Sequence, residues 1–519
     1  MAREPINVAA SVIADVSAGI YRSPAGALKE LLSNAFDADA TTVRVSSGWP
    51  EFRTFTCTDD GLGITPAKFK QIMTHIGGST KRDASEVSAS GRPLIGRIGI
   101  GILSIAQICR RFTVVSSVAG QPTKFLAHID LEPFLLAEAR RAKLGQSVET
   151  ETGRVRIGEY EIQEAEERKD AHYTRFVLEQ IDVGFRQRLT DVPQIRSGIT
   201  PKKFTKGTME DYLAAVETRT VAEHGAYAQM IWELAITAPV EYLDDGPVVD
   251  APALAYLRER LMKYGFNAYL DGVELRKPIR LPPKPVRSIE HRIYPIRHER
   301  KLTDGRMLRV NGYLHWQRGR VLPRELQGIL VRVRNVAVGT YDPTYLGYPH
   351  HEGWKFSQMS GELYVDGGLD QAVNIDRASF RESDEGFIEL QSFLFERLKG
   401  GADEGAGIFT AIKAETKKLS REKRQKEEAR KDRAAARLLG SSAKQLKVVA
   451  APKAEAPSGV TVDRDSVLVS EDILGIVQNK HRRIFTAICA MLEQEIGTVV
   501  GKARRKSIYE RLAKLFAEL

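Results

Sequence analysis

Cysteine is nearly absent from this 519-residue chain. Its three cysteines, Cys57, Cys109 and Cys489, are too scattered for a disulfide framework or a thiolate metal site. Each reads as a small buried apolar residue in a reducing interior. Long hydrophobic runs are lacking as well: no stretch reaches the roughly 20 apolar residues of a membrane helix. The opening, MAREPINVAASVIADVSAGIYRS, has no apolar core followed by a cleavage pattern. The expectation is a cytoplasmic protein with no membrane partner. Charge of one sign does not dominate, since a formal +10 is modest for this length and permits nucleic acid or an acidic partner without requiring either. With 42% hydrophobic and 28% charged residues the composition is that of an ordinary globular protein, long enough for about three domains with real cores.

What is present centres on ALKELLSNAFDADATTVRV, Ala27 to Val45. Glu30, Asn34 and Asp37 recur at i, i+4 and i+7 and so share one face of a helix. Leu28, Leu31, Leu32 and Ala35 form an apolar stripe suited to packing on a sheet. Ser23-Pro24 supplies a cap and a first-turn proline. Next, TDDGLGIT (Thr58 to Thr65) follows a β-prone run, placing Asp59 at a strand end, with Gly61 and Gly63 allowing a tight turn and close approach of a ligand. In IGRIGIGILSIAQI, Gly96, Gly99 and Gly101 precede an apolar helical run, an arrangement that offers free backbone N–H groups to an anion. It is not a dinucleotide fingerprint, because the strand-turn-helix unit and later acidic residue are missing.

In this order the three stretches resemble the Bergerat-fold ATPases, the GHKL group of gyrase B, ninety-kilodalton heat-shock chaperones, histidine kinases and MutL-type mismatch-repair proteins. The resemblance implies an α+β protein with an N-terminal ATP-binding sandwich. It implies that Glu30 is the general base, Asn34 a Mg²⁺ ligand and Asp37 a pocket residue. Asp59 would accept from the adenine amino group, Gly61 and Gly63 would shape the adenine side, and Gly96, Gly99 and Gly101 would open the phosphate lid. Thr174, in HYTRFVLEQI, would be the family's threonine at the start of a strand, although Tyr173 stands where a glycine is usual. The Gly- and Ser-rich stretch GGSTKRDASEVSASGRP reads as a mobile loop in which Ser79, Thr80 and Lys81 either meet phosphates or are simply solvated. A carboxylate beside a phosphate can deprotonate water, and an amide oxygen can hold Mg²⁺ without adding negative charge. Glu30 argues for hydrolysis rather than transfer to a histidine.

The expected organisation is an ATP-binding domain over 1–245, an α+β middle domain over 254–400, a long basic helix over 401–446, a flexible linker over 447–459 and a helical unit over 460–519. A short helix is expected from Val8 to Gly19, and a hairpin at Asp271-Gly272 is assigned to the middle domain. NIDRASF resembles the chaperone middle-domain segment, which implies that Asn374 and Arg377 reach the first domain and that Arg377 contacts the γ-phosphate. Arg381 is the alternative, and a surface arginine paired with Glu382 or Asp384 is the plainer reading. The basic helix either binds nucleic acid or presents a solvated face. The resulting expectation is a Mg²⁺-dependent ATPase that closes a lid and dimerises, as a chaperone-like clamp with a protein client or partner on its C-terminal helices. The alternatives are a nucleic-acid clamp of the mismatch-repair or MORC kind and a non-hydrolysing nucleotide-sensing scaffold in a signalling or defence assembly.

Overall fold

The protein is described from a computed structural model, covering residues 4–9, 24–74, 87–95, 105, 108–131, 154–190, 208–216, 220–244, 246, 252–281, 290–350, 352–374, 377–401, 405–439, 447–452, 456–462 and 466–518. These fall into two compact units, Met1–Phe409 and Thr410–Leu519.

The first unit starts with a nine-stranded sheet. Its strands are β1 (Glu4–Ala9), β2 (Thr42–Ser46), β3 (Phe55–Asp59), β4 (Cys109–Ser117), β5 (Thr123–Asp130), β6 (Arg154–Glu166), β7 (Tyr173–Ile181), β8 (Asn267–Leu270) and β9 (Val273–Leu275). They lie in the order β1-β6-β5-β4-β7-β3-β2-β8-β9. Neighbours run antiparallel except β2 and β8, which are parallel. Helix α1 (Pro24–Asp37) begins at the expected proline. It buries Leu28, Leu31, Leu32, Ala35 and Phe36 in one continuous core with α2 (Pro66–Thr74) and the sheet. Helices α3 (Val183–Thr190), α4 (Met209–Val216), α5 (Ala226–Thr237) and α6 (Ala255–Leu261) complete this half, and α5 is buried along most of its length.

Two expectations change here. Val8 and Ala9, read as the start of a helix, are strand residues paired with β6 through a bulge at Ile6/Asn7; 10–19 lie outside the described residues. A β-branched run with a distant partner is settled by that partner rather than by local pattern. The Asp271-Gly272 hairpin forms as expected, with positive φ at both turn residues (48° and 87°). It belongs to the first sheet, however, through parallel pairing of β8 with β2. Parallel pairing across more than 200 residues leaves no local signal. Asp271 seals the junction by accepting from the Ser47 amide (2.7 Å) and the Tyr227 hydroxyl (2.6 Å).

The second sheet comprises β10 (His291–Lys301), β11 (Met307–Gln317), β12 (Gly328–Val333), β13 (Val336–Ala337) and β14 (Met359–Gly367), ordered β10-β11-β14-β12-β13. Helix α7 (Trp354–Ser357) precedes β14, and α8 (Glu385–Lys399) packs Phe387, Leu390 and Leu394 inward behind an Asp384 cap. A fully buried polar layer ties this sheet to the end of α5. Glu362 accepts from Arg332 Nε (2.6 Å), Tyr313 (2.6 Å) and Tyr242, while Arg332 Nη1 donates to the Ile236 carbonyl (2.6 Å). Lys277 donates to the Val240 carbonyl (2.6 Å) and Asn335 (2.8 Å), and burial drives its ammonium well below the usual lysine range. Such a layer specifies one docking geometry, because any other would strand a buried charge. A two-residue ladder, β15 (Gly400–Gly401) with β16 (Gly405–Ala406), follows α8.

Helix α9 (Ile408–Leu439), the expected long helix, starts at the end of the first unit, buries Ile408, Phe409 and Ile412, and is largely exposed and basic from Lys413 to Arg430. Beyond it lie β17 (Lys447–Ala451), β18 (Val460–Val462) and β19 (Ser466–Ser470), with α10 (Glu471–Leu474), α11 (Arg482–Ile496) and α12 (Lys502–Glu518). Val460, Val467, Ile473, Phe485, Cys489 and Tyr509 form their core. The stretch read as a linker therefore contains a strand, since β17 pairs in parallel with β19. The flanking Ala, Pro and Gly masked the short apolar run that makes it.

Candidate functional site

On helix α1, Glu30 faces the loop that follows β14, and Asp37 faces Ile95. Glu30 is only 5% exposed, and its Oε1 has no hydrogen bond among the described residues. A buried carboxylate oxygen that takes no hydrogen bond is costly, and such a group marks a candidate functional position. Asn34 and Asp37 are half-buried one and two turns on.

Asp59 closes β3 opposite Thr174 in β7, and both are buried. Burial pushes the Asp59 carboxyl up to about 6, with the Asp60 charge adding to the rise and the Gly61 amide (2.9 Å) opposing it. Its neighbour Asp60 does structural work, accepting from the Thr41 and Thr42 amides (both 2.8 Å). Ser116 on β4 completes the corner: its hydroxyl lies 3.1 Å from that of Thr174, donates to the Tyr173 carbonyl (2.8 Å) and accepts from the Ile64 amide (2.8 Å). Gly63, at φ 75°, packs so closely that a Cβ would fall 1.9 Å from the Ser117 carbonyl, and one on Gly61 would fall 2.7 Å from that of Ala38. The chain from Gly61 to Ile64 is thus drawn tight beside Asp59, leaving a carboxylate and a threonine hydroxyl side by side.

Ser79, Thr80, Lys81, Gly96, Gly99 and Gly101 lie outside the described residues. The second half of the stretch read as a mobile loop is tied down. Val87 bridges to Pro93, Asp39 accepts from the Ser88 hydroxyl (2.5 Å) and the Ser90 amide (3.0 Å), and Arg92 donates to the Ala40 carbonyl (2.6 Å). Asp39 does this from φ 59°, a conformation its short polar side chain tolerates. Asp37 holds the Ile95 amide (2.7 Å).

The second sheet brings Arg377 to the same place. Its Nε is 3.4 Å from Glu30 Oε1, and its Nη2 donates to the Ile95 carbonyl (2.9 Å). Lys29, 6% exposed, donates to the carbonyls of Ala337 (2.9 Å) and Arg377 (3.2 Å). Arg334 donates to the Leu94 carbonyl (2.6 Å) and pairs with Asp370 (3.2 Å). Asn374 shapes the loop by bonding Ser379 rather than Glu30. Arg381 is more than half exposed and pairs with Asp384 (3.5 Å), as the plainer reading of a surface arginine had it. Sequence reasoning missed Lys29, Ser116 and Arg334. Only Lys29 carried a hint, as a lysine adjoining the glutamate of an otherwise buried helix.

Residues 21–150 match the family of histidine kinase-, DNA gyrase B- and HSP90-like ATPases. The N-terminal domain belongs to the GHKL superfamily. The chain is 34% identical over 113 residues to a putative type II restriction enzyme, HgiDII, of Herpetosiphon aurantiacus (22% of this chain, 18% of that protein). It is 28% identical over 144 residues to the DNA mismatch repair protein MutL of Thiobacillus denitrificans (27% and 23%). Over 225 residues it is 22% identical to the chaperone protein HtpG of Halalkalibacterium halodurans (39% and 34%). The chain thus matches no more than about a third of the length of these relatives.

Within the GHKL domain, a nucleotide and its cation fit the residues present. A buried carboxylate with one oxygen free of hydrogen bonds among the described residues (Glu30) and an amide one turn on (Asn34) lie on α1, and a glycine-tightened carboxylate–threonine corner (Asp59, Thr174) lies where β3 pairs with β7. Among the described residues no group of three or more acidic, His or Cys side chains could hold a metal ion. No helix among them is long and apolar enough to cross a membrane.

Proposed function

We propose that the chain is a Mg²⁺-dependent ATP hydrolase in which the second sheet completes the site of the GHKL domain. The observation that carries this reading is the buried Glu30 carboxylate, whose Oε1 takes no hydrogen bond among the described residues and lies 3.4 Å from the Arg377 guanidinium. Asp59 accepts from the adenine amino group, Thr174 and Ser116 support that edge, and Gly61 and Gly63 let the backbone lie against the base. Glu30 orients and deprotonates the attacking water, and Arg377 stabilises charge spreading on the γ-phosphate oxygens. Asn34 would hold Mg²⁺, which would supply charge neutralisation on the phosphates. Asp37 positions Ile95, whose carbonyl steadies Arg377. Ser79, Thr80, Lys81, Gly96, Gly99 and Gly101 are assigned to the phosphate end by resemblance.

Nucleotide binding couples to dimerisation in this reading, giving an ATP-gated clamp. Light scattering with and without a non-hydrolysable ATP analogue and Mg²⁺ tests the coupling. A nucleotide-dependent doubling of mass is expected, and an unchanged mass would confine the cycle to movements within one chain. A second reading, a nucleic-acid clamp, is favoured by α9, where Lys417, Lys418, Arg421, Lys423, Arg424 and Lys426 follow one another on an exposed helix. Its affinity for duplex DNA would fall steeply with salt.

A further inference from the structure

Arg377 sits at φ 47°, a left-handed conformation that costs a non-glycine residue about 1 kcal/mol or more and persists only where the surroundings impose it. Two backbone bonds hold it, from the Arg377 amide to the Asn374 carbonyl (2.9 Å) and from the Gly339 amide to the Arg377 carbonyl (3.1 Å), and Lys29 adds a side-chain contact to that same carbonyl while Arg334 supports the chain beside the guanidinium. Lys29 precedes Glu30 on α1, so the two side chains leave the helix about 100° apart and reach different parts of the same residue. Glu30 faces the guanidinium, while the Lys29 ammonium takes the main-chain oxygen of Arg377 and that of Ala337 in β13. A lysine that merely covered apolar surface would extend its ammonium to water. This one is buried against carbonyls of the second sheet. On the other side the Arg377 Nη2 rests on the Ile95 carbonyl, and the preceding carbonyl, Leu94, is held by Arg334, itself steadied by Asp370.

We infer that Lys29 is a positioning residue that mounts Arg377 opposite Glu30, with Arg334 as the second support; this rests on the role given to Arg377 above. Phosphoryl-transfer arginines contribute through placement, and a displacement of about 1 Å can cost on the order of 100-fold in rate. Neither Lys29 nor Arg334 is a catalytic residue in this account.

The test uses the full chain: steady-state ATP turnover, equilibrium ATP binding, and hydrogen exchange over 371–381. Lys29→Met, which keeps the stem and loses the ammonium, is expected to lower kcat about 10- to 100-fold while ATP affinity stays within about twofold. Exchange in the Arg377 loop should quicken. Lys29→Arg should recover most of the rate, and Lys29→Met/Arg377→Ala should be no slower than Arg377→Ala alone. Wild-type turnover in Lys29→Met beside a slow Arg377→Ala would overturn the inference and leave the Arg377 role standing, as would multiplicative losses in the double variant. Wild-type turnover in Arg377→Ala would instead overturn the Arg377 role, and the inference with it. If Lys29→Met fails to fold, Arg334→Met carries the same expectations, and the same outcomes overturn it.

Discussion

The ammonium of Lys29 and the main-chain oxygen of Arg377 lie 3.2 Å apart, joining helix α1 to the second sheet, while the neighbouring Glu30 carboxylate lies 3.4 Å from the same arginine's guanidinium. Two consecutive residues of one helix therefore hold the backbone and the side chain of one residue almost 350 positions away. The candidate base and the candidate transition-state arginine are thereby neighbours, as the proposed mechanism requires.

Replacing Arg377 by Ala should lower kcat by about 100-fold or more with little change in ATP affinity, because the side chain acts on charge that develops during transfer. Arg377→Lys should remain impaired, since a single ammonium cannot face both Glu30 and the Ile95 carbonyl as a planar fork does. Single-turnover kinetics alongside equilibrium binding separates the two effects. Loss of affinity at unchanged kcat would place Arg377 in binding instead.

Asp59 gives a pH prediction with a definite sign. Its folded carboxyl titrates near 6, against 3.8 when unfolded, so the native state holds its proton more tightly. Protonation thus stabilises the nucleotide-free fold: the contribution is complete below about pH 4 and lost as pH rises through 6, amounting to about 2–3 kcal/mol. Asp59→Asn should raise the nucleotide-free Tm at pH 7.5 and flatten its dependence between pH 5 and 7. An ionised carboxylate accepts from the adenine amino group more strongly than a neutral carboxyl or amide does, so ATP affinity should rise with pH up to about 7 and fall in Asp59→Asn. An affinity that is flat from pH 5 to 8 would remove Asp59 from the base-binding edge.

Gly63→Ala tests the tight turn. The left-handed φ alone costs an alanine about 1–2 kcal/mol, and the added methyl would meet the Ser117 carbonyl at 1.9 Å. Because β4 cannot retreat without breaking the Ser116–Thr174 contact, the strain should appear both as a lower Tm and as weaker nucleotide binding. Gly91→Ala is the control: it too has positive φ, but its Cβ would meet nothing within 4 Å. It should lose some stability and keep its affinity.

Much of the site was legible in the sequence because its signals are local. Glu30, Asn34 and Asp37 share a helix, Asp59 adjoins its glycines, and α1 begins at a proline that announces it. Thr174 was found only by resemblance, and its place beside Asp59 comes from a strand pairing across more than 100 residues. Lys29, Ser116 and Arg334 were not legible, because each acts on a carbonyl or hydroxyl that the fold supplies from elsewhere. The β8–β9 hairpin shows the same limit: its turn was readable to the residue, but the sheet it joins was not. In β17 composition outweighed a short apolar run, and only the parallel neighbour β19 makes it a strand.

The central claim is that Glu30 activates water at a bound ATP. Its most direct measurement is ATP turnover and ATP affinity on the same samples of wild-type protein and Glu30→Gln, which preserves shape and removes the base. The account predicts turnover in the wild type, a fall of about 100-fold or more in Glu30→Gln, and undiminished ATP binding in both. Equal turnover in the two proteins would contradict it.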